Sequence, residues 1–515
     1  MNTKQLHPVQ KTRGSADVSY LGRSVDEMIW GFMEKEQIPG LTLAIVQAPY
    51  IPRVAGYGMS DGQKRLLASA STMWPAGPIS QAFAAVAVMQ LHESGKLSVH
   101  DACGRYLTEL PDSWKEIPIL TLLRHASGLP DYREAGGWRY DLSYSFSDLL
   151  AMVASLPLSF DPGTAVRQSA TNFLLLTEIV ERVCGKSYHD FVKENQIEYL
   201  NLRHTAFAGD LGQFSTEDVQ KTGNVHQAFK SDFHFIDPTE PAVSYGPDGS
   251  PVPRGNVSAL RGFSDIWASA GDISFWDIAL AGSVLIHEPE NRALVYSPWT
   301  APGGAKVPAV AGWQFYHHRG LMDIKGSVPG YTSFLSRFTH AEELVCVTLM
   351  ANKEGVDFTN LARRIAGAFG DLLSTNYDDN RLYLYESQFP AGQTADRLEA
   401  ELTRLQIPVF ARFDHAENAK DAGLSLRPTK VLVFGSPKVG TGLMQLDQSI
   451  SLELPLRISV WEDELGSVWL AFPRMDGIAK AYGMEDNPVI GNMEKLLENL
   501  VQKAGSIYSS TYLPE

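Results

Sequence analysis

One helix frames the reading of this chain. Trp74-Pro75-Ala76-Gly77-Pro78-Ile79-Ser80-Gln81 opens it, Phe83, Val86, Ala87 and Met89 follow at helical spacing, and Gly95 ends it. Proline suits a first helical turn, where its missing N–H costs nothing. Around this helix, strands and helices alternate. A helix over Val25 to Glu36 precedes an apolar strand from Leu41 to Val46, and Tyr331 to Arg337 with Leu344 to Met350 form a hairpin over a polar turn. A helix from Phe358 to Leu373 packs back on that sheet. The first three quarters therefore predict an α/β (α+β) domain, a mixed core sheet with a helical lobe.

Five phrases occur in a fixed order: Ile38-Pro39-Gly40-Leu41, "ESGKLSVHD" after the helix, "LTLLRHASGLPDY" from Leu120 to Tyr132, "PGTAVRQSATNFLLL" from Pro162 to Leu176, and "GSVPGYTSFLS" from Gly326 to Ser336. Together they resemble the serine β-lactamase and penicillin-binding-protein family, in its class C and esterase branch, over residues 20 to 385.

The resemblance implies three catalytic motifs, and all three are altered. In S-x-x-K the serine is acylated and the lysine one turn on helps take its proton; those positions align with Pro78 and Gln81. Y-x-N aligns with Gln168-Ser169-Ala170, and H-x-G or K-T-G with Ile324-Lys325-Gly326, so only the glycine survives. The family's oxyanion hole uses the backbone N–H of the nucleophile residue, and proline has none. One such donor is worth about 3 to 4 kcal/mol of barrier. A neighbouring serine cannot restore it.

Ser80 is the candidate for a relocated nucleophile, about 200° around the helix from Pro78. No lysine or histidine at a neighbouring helical position would activate it, so a small residue packed at a helix start is the favoured reading. Strand alternation turns Lys325 away from the face that Ile324 takes, towards solvent or an interdomain ion pair, unless a twist or bulge reverses it. Gln81 and Gln168 sit where the parent fold aims side chains at substrate. They read as ligand-orienting amides or as polar fillers. Gly326, Ser327, Lys325 and Ser80 complete the candidate substrate-binding set, and His125 reads as a hydrogen-bonded structural histidine.

Composition narrows the partners. The 515 residues are 44% hydrophobic, enough for two or more cores. Lys plus Arg 44 against Asp plus Glu 59 gives a net charge of -15, which disfavours nucleic acid and anionic membranes. Met1 to Asp17 lacks a signal-peptide core and no run is long enough to span a bilayer, so a cytoplasmic location is expected. Cys103, Cys184 and Cys346 suit buried free thiols in a reducing compartment. No metal or cofactor is implied: the adjacent His317-His318 would point to opposite faces of a strand, and no dinucleotide fingerprint occurs.

Ala228 to Gly262 is polar and rich in Pro and Gly, which suits a lid over the pocket or a surface loop. A linker over Tyr377 to Thr394 introduces a second unit, 386 to 515. There Thr394 is expected to cap a helix through Leu398, Leu402 and Leu405, with strands at Val409 to Phe413 and Lys430 to Phe434. A hairpin of Leu456 to Glu462 with Ser467 to Phe472 follows, and a helix over Asn492 to Lys503, giving a small α/β sandwich. Residues 393 to 485 resemble a bacterial domain family of unknown function. Asp414-His415, Arg427, Lys438 and Glu462 read as a gathered pocket or as structural ion pairs and caps. "GSPKVGTG" lacks the ending and the helix context of a phosphate loop.

The functional expectation is a pseudoenzyme of β-lactamase fold that binds a small organic molecule in the old cleft and, if catalytic, acts without an acyl-enzyme, as a cyclase or isomerase does. A serine esterase or transacylase using Ser80, and a non-enzymatic sensor or scaffold, are the alternatives. The oligomeric state stays open, a homo-oligomer included.

Overall fold

The computed structural model describes residues 13–506 apart from 21, 215–228, 231–234, 237–240, 297–298, 303, 305, 308–313, 317–320, 341–342, 371–381, 464–465 and 486. His317-His318 and residues 228, 231–234 and 237–240 of the 228–262 segment therefore lie outside the described residues.

Helix α1 (Val25–Glu36) starts on a reciprocal cap, Ser24 taking the Glu27 N–H while the Glu27 side chain takes the Ser24 N–H. It leads into β1 (Gly40–Gln47) and β2 (Tyr50–Asp61). After α2 (Ile79–Glu93) and the helical lobe with α3 (Ala170–Cys184) and α4 (Ala270–Ala281), the chain returns as β3 (Leu321–Val328), β4 (Tyr331–His340), β5 (Glu343–Ala351) and α5 (Thr359–Gly367). The nine-stranded sheet runs Gln314–Tyr316, β3, β4, β5, β1, β2, Leu66–Leu67, Phe235–Ile236, Phe229–Lys230. At its centre β5 pairs antiparallel with β1, Val347 opposite Ile45 and Leu349 opposite Leu43.

Alternation assigns the two faces. Ile324, Leu335, Ala44 and Met350 join α2, α3 and α4 in one core, whereas Phe334, Leu43, Ile45 and Leu349 pack under α1 and α5. Among the α2 residues Ile79 to Met89 all are buried, which is why that helix shows little amphipathic contrast.

The second domain is an antiparallel five-stranded sheet, in the order β6 (Leu382–Ser387), β10 (Val468–Pro473), β9 (Leu456–Glu462), β8 (Thr429–Phe434), β7 (Val409–Asp414). Helices α6 (Ala391–Arg404) and α7 (Pro488–Gly505) cover one face. The stretch read as a linker thus contains a strand and the start of a helix. Thr394 is no cap: it lies inside α6, where its hydroxyl donates to the Phe389 carbonyl at 3.0 Å. Helix α7 begins four residues before expectation because Asn487 caps it and Pro488 suits its first turn. "GSPKVGTG" does open into a helix after β8, Pro437–Met444, against the sequence reading, although its ending still departs from a phosphate loop. Among the described residues no helix is long and apolar enough to cross a membrane.

Candidate functional site

Pro78 caps α2 at the foot of a groove beside the edge of β3. Gly77, at φ +56°, lets the chain pass close to β4, where Ser333 donates to the Ala76 carbonyl at 2.7 Å. The Pro78 ring then lies against Gly326 so tightly that a Cβ added there would sit 2.0 Å from its Cδ. Alternation within β3 carries Ile324 to the same face, where it is 1% exposed in the apolar core. No titratable group occupies either position.

Gln168 ends the loop before α3 and lines the groove. Gln81 does not: it is fully buried, and its Oε1 lies 2.9 Å from Nε2 of His125. The physical reason is the histidine. His125 stands at φ +53° with its ring buried; Nδ1 accepts the Ser169 N–H at 3.3 Å and an Asn172 amide hydrogen at 3.1 Å, so the ring proton resides on Nε2 and points at Gln81. Ser127 extends the chain by donating to Asn172 Oδ1 at 2.6 Å. Burial pushes the His125 pKa down to about 3, so the ring is neutral at physiological pH. Gln81 therefore orients a structural histidine rather than the groove.

Ala170, where the family motif has its amide, is the first residue of α3 and fully buried. Its N–H donates to Asp131 at 3.1 Å, and Arg133 chelates that carboxylate. Burial alone would raise the Asp131 pKa, but the guanidinium holds it below its ordinary value. Ser80 is likewise inaccessible: its Oγ accepts the Ile266 N–H at 3.2 Å, and the residue is 0% exposed. The small-residue reading of Ser80 accounts for this geometry. Asn172, Ser127 and Asp131 were missed by motif reasoning, and only their place inside the two quoted phrases around His125 and Gln168 pointed to them.

Lys325 takes the opposite face of β3, over the rings of Phe334 at 6.0 Å and Tyr385 at 5.0 Å. Its ammonium lies 4.0 Å from Asp323. Burial pulls the Lys325 pKa down, against the opposing charges of Asp357 and Asp323. Because Tyr385 belongs to β6, the lysine sits at the junction of the two domains. Tyr383 donates to Asp357 across that junction, and Phe389 packs with Ala301, Trp299 and Val166. The groove is thereby closed from the second domain's side into a cavity of about 280 Å³, lined by Pro78, Gln168 and Gly326 on one wall and by Tyr385, Asn499 and Gln502 on the other.

A larger cavity of about 610 Å³ lies along the same junction and touches Glu36, Asp357, Arg364, Lys495 and Glu498. None of the aligned motif positions lines it. Burial, with Asp357, Glu494 and Glu36 nearby, raises the Glu498 pKa to about 7. A carboxyl bound to its proton more tightly in the fold than in the unfolded chain loses stability as pH rises through 7. Glu498→Gln is expected to raise the thermal midpoint by a few degrees at pH 8 and to leave it unchanged at pH 5, as read by differential scanning calorimetry. An equal shift at both pH values would refute this.

The described part of the 228–262 segment lies against the large domain. Arg254 covers the Trp267 ring at 5.5 Å, and Tyr245 donates to Asp61 at 2.6 Å. In the second domain the polar residues act locally. Asp414 caps a short helix and pairs with Lys430, Arg427 donates to the Glu462 carbonyl, and His415 stacks on Phe413. The ion-pair and cap reading describes them. Cys103 and Cys346 are buried, whereas Cys184 is partly exposed.

Residues 25–369 match the family described as Beta-lactamase, and residues 383–500 match Domain of unknown function DUF302. A class C beta-lactamase in complex with cefoxitin superposes with a TM-score of 0.54 at 18% identity, over 67% of this chain and 97% of that one. The octameric penicillin-binding protein homologue from Pyrococcus abyssi gives 0.56 at 18% identity, over 87% and 99%. At such identities the likeness shows the fold. Among curated proteins, the Fluoride-specific ion channel FluC 1 of Brucella suis is 36% identical over 149 residues, 28% of this chain and 58% of that protein. Protein flp of Staphylococcus aureus is 25% identical over 189 residues, 36% of this chain and 38% of its own length. The chain spans a little over half of the channel and less of flp.

Proposed function

This chain belongs to the beta-lactamase family, and from that membership together with its altered cleft we propose that it binds a small organic molecule there and does no acyl-enzyme chemistry. The observation that carries the reading is Pro78. At the position aligned with the nucleophile it offers no hydroxyl and no N–H, while its ring fills the space above Gly326. Three further replacements support it, since Gln81, Ala170 and Ile324 supply no proton carrier and are all buried. If the protein is catalytic, orientation of a bound ligand is the means left to it, as in a cyclisation or isomerisation. A Ser80 nucleophile is disfavoured because its oxygen is committed to the Ile266 N–H.

The test is direct. Intact-mass spectra after exposure to a fluorophosphonate and to benzylpenicillin are expected to show no adduct, and native mass spectrometry after incubation with cell extract to show one retained small molecule. An adduct on any serine overturns the acyl-free reading, and an empty protein after extract treatment overturns the binding one.

A further inference from the structure

We propose that the cavity of about 610 Å³ along the domain junction is a second binding site, and that it takes a small phosphate monoester with an apolar body, gripped by cations from both domains. The proposal does not depend on the cleft reading above, because no position aligned with the family motifs lines this cavity. Its support is the partition of the walls, the balance of charge and the geometry of the charged groups.

The volume falls within the roughly 300–1,000 Å³ typical of small-molecule sites. One wall comes from α1, the turn after β5, and α5; the other comes from Tyr383, Arg474 and α7. Tyr383 fastens the two, donating to Asp357 of the large domain and accepting from Gln502 Nε2 at 3.2 Å. Met28, Phe32, Val356 and Leu361 give the large-domain wall an apolar stretch, with Phe32 held against the Phe358 ring at 5.7 Å.

The chain as a whole carries a net charge of -15, yet this lining has the opposite balance. Among the described residues, Arg23, Lys35, Lys353 and Arg364 from the large domain and Arg474 and Lys495 from the second face Glu36, Glu354, Asp357 and Glu498. Two of those carboxylates are already engaged: Asp357 accepts from Tyr383 and Thr359, and Glu354 accepts the Gly330 N–H at 3.0 Å. Arg474 lies 3.6 Å from Glu494, whereas Lys353 donates to the Glu36 carbonyl, which carries no net charge. Arg23 and Lys495 form no ion pair among the described residues. A concave positive lining on an acidic protein concentrates anions.

The spread of the cations selects the anion. A phosphate monoester brings about -1.5 to -2 charges and three strong acceptor oxygens on one tetrahedral centre, so cations arriving from different elements can each meet an oxygen. A carboxylate presents one planar edge, matched by a single arginine fork. Glu498 adds a donor. It is half-buried, and makes no hydrogen bond or ion pair among the described residues. Burial, with Asp357, Glu494 and Glu36 nearby and Lys35 opposing them, keeps its proton on up to a pH of about 7. Below that pH the carboxyl can donate to a phosphate oxygen; above it, the carboxylate repels the ligand.

The experiment titrates full-length protein at low ionic strength with phenyl phosphate, phenol, inorganic phosphate and citrate, by isothermal calorimetry. Phenyl phosphate is expected to bind at least about tenfold tighter than each of the other three. Arg23→Glu and Lys495→Glu, exposed positions on opposite walls, should each weaken it by about tenfold without shifting the melting temperature, as expected for loss of one charge-assisted contact. Lys420→Glu, an equal change of charge outside the lining, should leave it within about twofold. Glu498→Gln should match the parent at pH 6 and bind about fivefold tighter than the parent at pH 8. Absence of binding, or equal binding of phenol, inorganic phosphate or citrate, overturns the ligand class. Affinity untouched by both wall variants, or lost equally in Lys420→Glu, overturns the site, and parallel pH profiles of Glu498→Gln and its parent overturn the donor assigned to Glu498.

Discussion

Gly326→Ala is expected to destabilise the large domain by about 2 to 3 kcal/mol, the upper part of the range for overpacking a close-packed interior. The new Cβ would lie 2.0 Å from Cδ and 2.7 Å from Cγ of Pro78, and a proline ring cannot swing aside as a flexible side chain would. Pro78→Ala removes both of those atoms. In that background the Gly326→Ala cost is expected to fall by at least about 1 kcal/mol, a coupling typical of residues in direct contact. Urea unfolding of the four proteins measures the cycle. Additive costs would mean that Pro78 does not lie on the edge of β3, and the proposal built on its position would fall with it.

Acid should unfold this protein partly through one buried ring. His125 binds its proton with a pKa of about 3 in the fold, against 6.5 for an ordinary histidine. Below pH 6.5 the unfolded chain therefore takes up a proton that the folded chain refuses, and stability falls as pH drops from 6.5 towards 3. Each pH unit across that gap is worth about 1.4 kcal/mol, so the full loss approaches about 5 kcal/mol. Nitrogen NMR should find the His125 ring neutral, with its proton on Nε2, down to about pH 4. His125→Gln should flatten the acid limb of the stability curve, whatever it costs at neutral pH. A ring that titrates near pH 6 would contradict the network drawn from Gln81 to Ser127.

Much of the large domain could be read from residue order. Period-two alternation placed Ile324 and Lys325 on opposite faces of one strand, and Lys325 does face an interdomain setting beside Asp323 and Tyr385. The aligned motifs located Pro78, Gln168 and Gly326 on one groove, and the structure brings those three together. Gln81 was harder. On a helix it falls one turn from Pro78 and looks groove-facing, but the positive φ of His125 aims a donor at it, and no local pattern encodes that meeting of residues 44 apart. The linker was misread for a related reason. Leu382–Ser387 is a short strand between polar, proline-bearing flanks, and it gains its identity only by pairing with Val468–Pro473 far along the chain. The wall supplied by α7 is the extreme case, since it depends on how one folded unit docks on another.

The pairing at the centre of the large sheet has a consequence for biogenesis. Strand β1 emerges from the ribosome some 300 residues before β5, the neighbour that covers its hydrogen-bonding edge. At a translation rate of about 5 to 20 residues per second, an apolar edge waits roughly 15 to 60 s for its partner. Newly made chains thus pass through an obligatory window in which Leu41 to Val46 is open to mispairing with other nascent copies, and yield in the cell should depend on holdase chaperones more than the finished protein's stability would suggest.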